Sequence, residues 1–211
     1  MKKPLAAIVS ILTNNVLSIK RALEFVGFET EILHEYKNLD KFDLIVVPGV
    51  GAFSEAMKRL VDRNLIKIIE KSLSNDKNFL GICLGMQLLF TESNEFIKTK
   101  GFSHFDSNIE CFADYKVKKK TFIGWNKVKF KKNFFDNEDK YAIFNEKYYY
   151  FVHSYFAKND NKEHIFGTSK NGQKEFASVV KKSNLVAFQF HPEKSGQIGL
   201  DLLKESTKIF F

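Results

Sequence analysis

Residues 5 to 90 alternate between short strand-like segments and segments in which apolar residues recur every three or four positions. The strand-like segments cover residues 5–12, 28–33, 42–48 and 79–82, and all but 28–33 are mostly apolar. The periodic segments predict helices and cover residues 16–26, 53–60, 65–73 and 84–90. Because strands that alternate with helices form βαβ units, this order predicts a three-layer α/β fold, with a mainly parallel sheet flanked by helices.

The second half of the chain has a different pattern. Strand-like segments surround Val117 and cover residues 109–112, 127–130, 148–152, 178–180 and 186–190, and helical spacing returns only at 198–209. We find no internal repeat or linker in the sequence, and 211 residues are about the length of one domain. We therefore expect a single domain, 1–211, with β-rich additions in its second half.

The composition argues against nucleic-acid and membrane proteins. The net charge is +8, but only three of the 33 basic residues are arginine, the residue best suited to read bases and clamp phosphates. No apolar run reaches the roughly 18 residues that cross a bilayer. No cleavage-like site follows the first run, so we expect a buried strand there rather than a signal peptide. Two cysteines also fit a reducing compartment, and we expect a cytoplasmic protein.

Residues 116–132 carry eight lysines and no acidic residue, which equals the whole net charge. A solvated hairpin is the favoured interpretation, because runs of like charge usually face solvent. The functional alternative is docking onto an acidic partner surface.

A candidate nucleophile lies where a predicted strand meets a predicted helix. Gly81-Ile-Cys83-Leu-Gly85 is the thiol form of the nucleophile elbow, a tight turn that exposes its central residue above the carboxyl edge of the sheet. The helix N-terminus favours a negative charge on the sulfur. A buried structural cysteine is the alternative. We adopt that interpretation for Cys111, which has no flanking glycines.

A candidate base follows the last strand-like segment. His191 and Glu193 stand two residues apart, with Pro192 between them, so the carboxylate can orient the imidazole while the other ring nitrogen faces a thiol. A solvent-exposed histidine at a strand end is the alternative. Cys83 and His191 can meet only if two strand ends lie side by side, which a parallel sheet provides.

A third segment, Pro48-Gly-Val50-Gly51-Ala-Phe53, also joins a strand to a helix. Its glycines free the backbone to aim N–H groups into a site, as an oxyanion hole requires. A plain glycine-rich turn is the alternative. A phosphate loop is disfavoured, since the segment has neither Gly-Lys-Ser/Thr nor G-x-G-x-x-G.

Together these segments resemble the class I (triad) glutamine amidotransferase family over almost the whole chain. Within that family the sequence is most similar to the glutaminase subunits of imidazole glycerol phosphate synthase, an activity of histidine biosynthesis. The motifs that carry this similarity are Pro48-Gly-Val-Gly-Ala-Phe, Gly81-Ile-Cys-Leu-Gly-Met-Gln, Gly124-Trp-Asn, Tyr149-Tyr-Phe-Val-His-Ser-Tyr and Gln189-Phe-His-Pro-Glu-Lys-Ser.

The resemblance implies a role for each motif residue. Cys83 would attack the side-chain amide of glutamine, His191 would act as base and then acid, and Glu193 would orient His191. The implied oxyanion-hole residues are Val50, Gly51 and Leu84. The implied glutamine-binding residues are Gln87, Ser154 and Tyr155. No metal or cofactor is implied.

The resemblance also implies a heterodimer, in which ammonia passes to a synthase (cyclase) subunit of (β/α)8 fold. The residues implied to face that partner are Asn15, Trp125, Tyr150 and Lys194; core packing is the alternative for the two aromatic residues. The sequence departs from the usual Gly-x-Gly-Asn turn, reading Leu12-Thr13-Asn14-Asn15. Asn14 can adopt the left-handed conformation such a turn needs, whereas Leu12 alters the loop expected to face the partner.

Three other functions stay open at this point. A similar glutaminase could supply ammonia to a synthase that aminates a nucleotide-linked surface sugar, which the altered turn and the lysine-rich segment leave plausible. A non-catalytic regulatory subunit is disfavoured by the intact Cys83, His191 and Glu193. A cysteine peptidase of similar fold is disfavoured by Gln87 and by the glycine loop.

Overall fold

The computed structural model describes residues 3–12, 15–160 and 162–210. Within these ranges lie six α-helices: α1 Val16–Phe25, α2 Phe53–Asp62, α3 Ile66–Ser74, α4 Leu84–Gln87, α5 Glu138–Phe144 and α6 Gly196–Thr207. The same ranges contain fourteen strands: β1 Leu5–Val9, β2 Glu29–Leu33, β3 Leu44–Gly49, β4 Phe79–Cys83, β5 Glu92–Ser93, β6 Thr99–Lys100, β7 Ile109–Cys111, β8 Phe122–Lys127, β9 Lys129–Phe130, β10 Tyr148–His153, β11 Tyr155–Ala157, β12 Ile165–Asn171, β13 Lys174–Lys182 and β14 Leu185–Phe188.

Eight strands form the central sheet, in the order β2-β1-β3-β4-β14-β13-β12-β9. The first five are parallel to one another, and the last three are joined by antiparallel pairing. A two-stranded sheet, β8-β10, and a four-stranded sheet, β11-β7-β5-β6, complete the β-rich second half. The α/β prediction and its mainly parallel sheet are therefore confirmed.

The centre of the sheet is buried on both faces, which explains why β1, β3 and β4 are mostly apolar, whereas the edge strand β2 carries polar residues. Alternate residues of β1 enter two separate cores: Ala6 and Ile8 pack with α1 and α6, whereas Ala7 and Val9 pack with α2 and α3. The helices thus form a layer on each side of the sheet, giving three layers.

Two local predictions were wrong. No strand forms around Val117 in the described chain, because Lys119 instead exchanges backbone hydrogen bonds with the side chain of Asn171. The helix predicted over 84–90 ends at Gln87. Beyond it, the carbonyl groups of Leu88 and Leu89 accept hydrogen bonds from amides of residues 102–105 and not from a further helical turn.

The predicted left-handed turn at Thr13 and Asn14 lies outside the described residues. Its flanking residue Leu12 is half-buried and packs with the core on the α2–α3 side. Among the helices that the structure describes, none is both long enough and apolar enough to cross a bilayer.

Candidate active site

The three predicted loops meet at the carboxyl edge of the central sheet. β4 lies between β3 and β14, with Gly49 paired to Cys83 and Phe188 paired to Ile82. The chain therefore leaves these three adjacent strands at the glycine loop, at the cysteine and toward His191. This convergence places the predicted nucleophile between the predicted base and the predicted oxyanion loop.

Cys83 has the strained backbone of a nucleophile elbow, with φ 54° and ψ −107°, a conformation that L-residues rarely adopt. The two glycines make this turn possible. A Cβ on Gly85 would lie 1.7 Å from the carbonyl oxygen of Val47, and one on Gly81 would lie 2.9 Å from Cβ of Ala187. Only glycine at these positions lets the turn pack against the neighbouring strands.

His191 and Glu193 form a buried pair. Nδ1 of His191 lies 2.7 Å from Oε1 of Glu193, and neither side chain is exposed to solvent. The backbone of His191 is held on both sides: its N–H donates to the carbonyl of Tyr150 at 2.9 Å, and its carbonyl accepts from Oγ of Ser195 at 2.6 Å. The imidazole is therefore fixed with Nδ1 toward the carboxylate.

The surroundings of His191 favour a protonated imidazole. Burial lowers the pKa of His191, but Cys83 and Glu193, through charge and hydrogen bonding, raise it by more, and the net shift is upward. Nε2 of His191 is buried without a regular hydrogen bond to any described residue. Nε2 is therefore the ring nitrogen available to exchange a proton with a substrate.

Asn15, which the resemblance implied to face the partner, also contacts the triad. Nδ2 of Asn15 donates to Oε1 of Glu193 at 2.6 Å and lies 3.4 Å from Nδ1 of His191. Its side chain is thus part of the polar cluster around the base.

The candidate oxyanion loop packs against the start of α4. A Cβ on Gly49 would lie 3.0 Å from Cβ of Leu84, so the loop and Leu84 are in contact. Leu84 is the first residue of α4, where no earlier turn can accept its N–H. Gly51 has φ +142°, and a Cβ there would lie 2.6 Å from Cδ1 of Leu12. Leu12 is accommodated because Gly51 has no side chain.

The candidate glutamine-binding residues surround the junction of β10 and β11. Nε2 of Gln87 donates to the carbonyl of Tyr155 at 2.8 Å and to Oε1 of Gln189 at 3.1 Å. Gln87 therefore holds the backbone of Tyr155 and the side chain of Gln189 in place. Oγ of Ser154 lies 2.9 Å from Oγ1 of Thr121. Tyr155 is half-buried, and burial together with Cys111 and Glu95 raises the pKa of its hydroxyl to about 12.

Two buried polar residues at the site were missed by sequence reasoning. Gln189 is fully buried and donates from Nε2 to Sγ of Cys83 at 3.7 Å. Nδ1 of His153 lies 2.8 Å from the carbonyl of Tyr155, so it carries the proton. Burial lowers the pKa of His153 to about 4 and keeps the ring neutral. Gln189 stands two residues before His191, and His153 stands two residues before Tyr155. This closeness to predicted site residues is the sequence feature that could have identified them.

Glu95 was also missed, because it lies in the short β5–β6 hairpin, which no sequence pattern predicted. Oε2 of Glu95 accepts the N–H of Phe53 at 2.7 Å, at the start of α2 and just beyond the glycine loop. Burial raises the pKa of this carboxyl, and the hydrogen bond from Phe53 offsets part of the shift.

Comparison with known proteins agrees with this geometry. The family described as glutamine amidotransferase class-I matches residues 5–207. The chain belongs to the class-I glutamine amidotransferase family. In the part of this amidotransferase that the structure describes, no three His, Cys, Asp or Glu side chains cluster as a metal site would require.

Two relatives resemble this amidotransferase along most of its length. The protein named imidazole glycerol phosphate synthase subunit HisH from Caldanaerobacter subterraneus is 38% identical over 190 residues, which cover 90% of this chain and 91% of the relative. The protein of the same name from Thermotoga maritima is 37% identical over 203 residues, 94% of each chain. A solved structure, PurLQS from Thermotoga maritima, has a TM-score of 0.72 at 18% identity over 100% of both chains, which supports the fold.

The remaining predicted residues lie beside the triad on the surface of the amidotransferase. Trp125 on β8 and Tyr150 on β10 are directly paired, with ring centroids 6.1 Å apart, and Trp125 is 52% exposed. Ile123 and Tyr148 are also exposed on this two-stranded sheet. Lys194 is exposed, and its N–H donates to the carbonyl of His191 at 3.1 Å. An apolar surface and a cation thus adjoin the buried His191–Glu193 pair.

Proposed function

We propose that this chain is the glutaminase subunit of imidazole glycerol phosphate synthase, acting in the cytoplasm as a single domain. It would hydrolyse glutamine to glutamate and pass ammonia to a (β/α)8 cyclase subunit in histidine biosynthesis. The observation that carries the proposal is the convergence of Cys83, the His191–Glu193 pair and the glycine loop at one sheet edge. The similarity over nine-tenths of the chain to proteins named HisH supports this choice of synthase.

The geometry supports acyl transfer through a thioester. Sγ of Cys83 would attack the side-chain amide carbon of glutamine, and the oxyanion would accept hydrogen bonds from the amides of Leu84 and of the Val50–Gly51 segment. The C–N bond then breaks, and the His191 imidazolium gives its proton to the leaving ammonia. Water, deprotonated by neutral His191, adds to the thioester; the C–S bond breaks and glutamate leaves.

The rest of the pocket is suited to the amino-acid end of glutamine. Glu95 provides a half-buried carboxylate near Tyr155 that can pair with the substrate ammonium group. Ser154 and Tyr155 would line the pocket, held in place by the hydrogen bonds of Gln87 and His153 to the carbonyl of Tyr155. These neutral and negative groups would select glutamine over an amide without an α-ammonium.

The partner would cover the exposed β8–β10 face. Aromatic residues are enriched in interface hot spots, and Trp125 with Tyr150 offers a rigid aromatic pair next to the triad. Lys194 would contribute a charge at the rim of the same surface. Docking there would carry ammonia directly from the thioester site into the synthase.

We expect the isolated chain to turn over glutamine slowly and the complex to do so rapidly. The glycine-flanked loop can change orientation, so partner docking can shift it toward the form that stabilises the oxyanion. The test is to co-purify the partner, identify it, and compare glutaminase activity with and without it. Fast turnover by the isolated chain would contradict the proposed activation by the partner. Co-purification with a sugar-aminating synthase would contradict the proposed role in histidine biosynthesis.

We expect Lys194→Ala to weaken coupling to the partner more than glutamine binding. Removal of a rim charge typically changes association and its salt dependence. The measurements are the dissociation constant of the complex and KM for glutamine at saturating partner. Lys67→Ala, at an exposed position on α3, is the matched control and should change neither. Equal losses in both constants for Lys194→Ala would remove its interface role.

A further inference from the structure

Oε1 of Glu193 is a shared acceptor for two donors. Nδ1 of His191 lies 2.7 Å away and Nδ2 of Asn15 lies 2.6 Å away, and both distances are typical of charge-assisted hydrogen bonds. Oε2 of the same carboxylate is buried and has no hydrogen-bond partner in the described chain. Asn15 is therefore the only described side chain besides His191 that fixes the rotation of this carboxylate.

Electrostatics determines which end of the Asn15 amide faces Glu193. If the amide were reversed, its oxygen would lie 2.6 Å from a carboxylate oxygen, and the two would repel each other. The nitrogen must face the carboxylate, which leaves Oδ1 buried without a partner among the described residues. A buried unsatisfied oxygen is costly, so the bond to Glu193 is kept at the expense of the other end of the amide.

The backbone of Asn15 is also unusual. Asn15 is the N-cap residue of α1, where an asparagine oxygen ordinarily accepts an N–H from the first turn. Here φ is 81°, in the left-handed region, and the side chain accepts no hydrogen bond from the described amides of α1. The residue forgoes helix capping in a left-handed conformation that asparagine tolerates, and its amide points to the triad instead.

We propose that Asn15 is a positioning residue of the triad, which holds the Glu193 carboxylate in the orientation that receives Nδ1–H of His191. This inference rests on the proposed glutaminase function. Without the amide, the carboxylate can rotate away, and the imidazole loses the partner that fixes its ring and its tautomer. Asn15 thus acts through Glu193 and His191, a role that the resemblance did not imply.

The first test removes the side chain without straining the backbone. Glycine tolerates φ near 81°, so Asn15→Gly removes only the amide. We expect kcat for glutamine, measured in the complex at saturating partner, to fall by about tenfold or more. The reason is that an imidazole with the wrong orientation or tautomer is a poor base for Cys83. KM for glutamine, the affinity of the complex and ammonium-driven synthesis should change by less than about threefold, since these do not need the triad.

Asn64→Gly is the matched control. Asn64 also has a positive φ of 55°, but it follows α2 and makes no hydrogen bond to a triad residue in the described chain, so its substitution should leave kcat unchanged. An unchanged kcat for Asn15→Gly with a weakened complex would overturn the inference in favour of a partner contact.

Asn15→Asp provides a readout that a merely structural role would not produce. It keeps the size and the left-handed tendency of asparagine but places a second carboxyl against Glu193, which raises the pKa of one member of the pair. Once protonated, that carboxyl can donate to Glu193 as the amide does. The activity of the variant relative to wild type should therefore rise as the pH falls. The charged or titratable neighbours are His191, Lys194 and, through the ring, Cys83 and His153. A constant ratio across pH would contradict the inference.

Alkylation of Cys83 by iodoacetamide separates this inference from the proposed function, because it needs neither glutamine nor a synthase. Asn15→Gly should slow the reaction of the isolated chain at neutral pH, and Asn64→Gly should not. Equal rates would overturn the inference. A wild type that has no glutaminase activity with any partner would remove the proposed function alone.

Discussion

Cys83→Ala should abolish glutamine-dependent synthesis by the complex and leave ammonium-driven synthesis intact. Removal of a nucleophile that acts together with its base lowers kcat by about four orders of magnitude or more. Added ammonium bypasses the thioester, because the synthase subunit then receives its nitrogen directly. The measurement is product formation by the complex with glutamine or with an ammonium salt as nitrogen source.

Cys111→Ser is the matched control for the nucleophile. Cys111 ends β7, where its sulfur accepts the N–H of Ala113 at 3.4 Å, and a hydroxyl can make the same bond. Both nitrogen sources should support normal rates in this variant. Glutamine-dependent activity that persists in Cys83→Ala would show that the nucleophile is misassigned.

Gly85→Ala should destabilise the fold more than any other single methyl addition at the site. The new Cβ would lie 1.7 Å from the carbonyl oxygen of Val47 and 2.7 Å from its carbonyl carbon, and two backbone segments must separate to admit it. We expect a loss of about 4 kcal/mol or more in the free energy of unfolding, or no folded protein. Urea unfolding followed by circular dichroism measures this loss.

Gly27→Ala is the comparison for that experiment. Gly27 also carries a backbone conformation unfavourable to alanine, at φ +109°, but a Cβ there would meet no atom within 4 Å. It should cost only about 1 kcal/mol. Similar stabilities for the two variants would mean that the elbow does not pack against β3 as described.

The α/β core was predictable because its signal is local. Strands β1, β3 and β4 are mostly apolar runs, and the helix that follows each has its own periodicity, so the order of elements implies the parallel sheet. The errors occur where distant groups decide the backbone. Asn171 takes the hydrogen bonds that would have made a strand near Val117, and residues 102–105 take the carbonyls that would have extended α4.

The candidate site also has a part that was predictable and a part that was not. Cys83 ends one strand and His191 follows another, and a parallel sheet brings strand ends together, so their proximity could be expected from chain order alone. The positions of Asn15 and Glu95 could not, because their contacts join residues 178 and 42 positions apart, and no local pattern encodes such a pairing. The resemblance identified Asn15 as a partner-facing residue but did not imply its contact with Glu193.

The most direct test of the converging loops is covalent labelling of the complex with an electrophilic analogue of glutamine, followed by peptide mass spectrometry. We expect one label, on Cys83, whose appearance parallels the loss of glutaminase activity and is prevented by excess glutamine. Glu193→Gln should slow the labelling, because His191 would lose its charged partner. Inactivation with the label on Cys111 alone, or with no label on Cys83, would contradict the account.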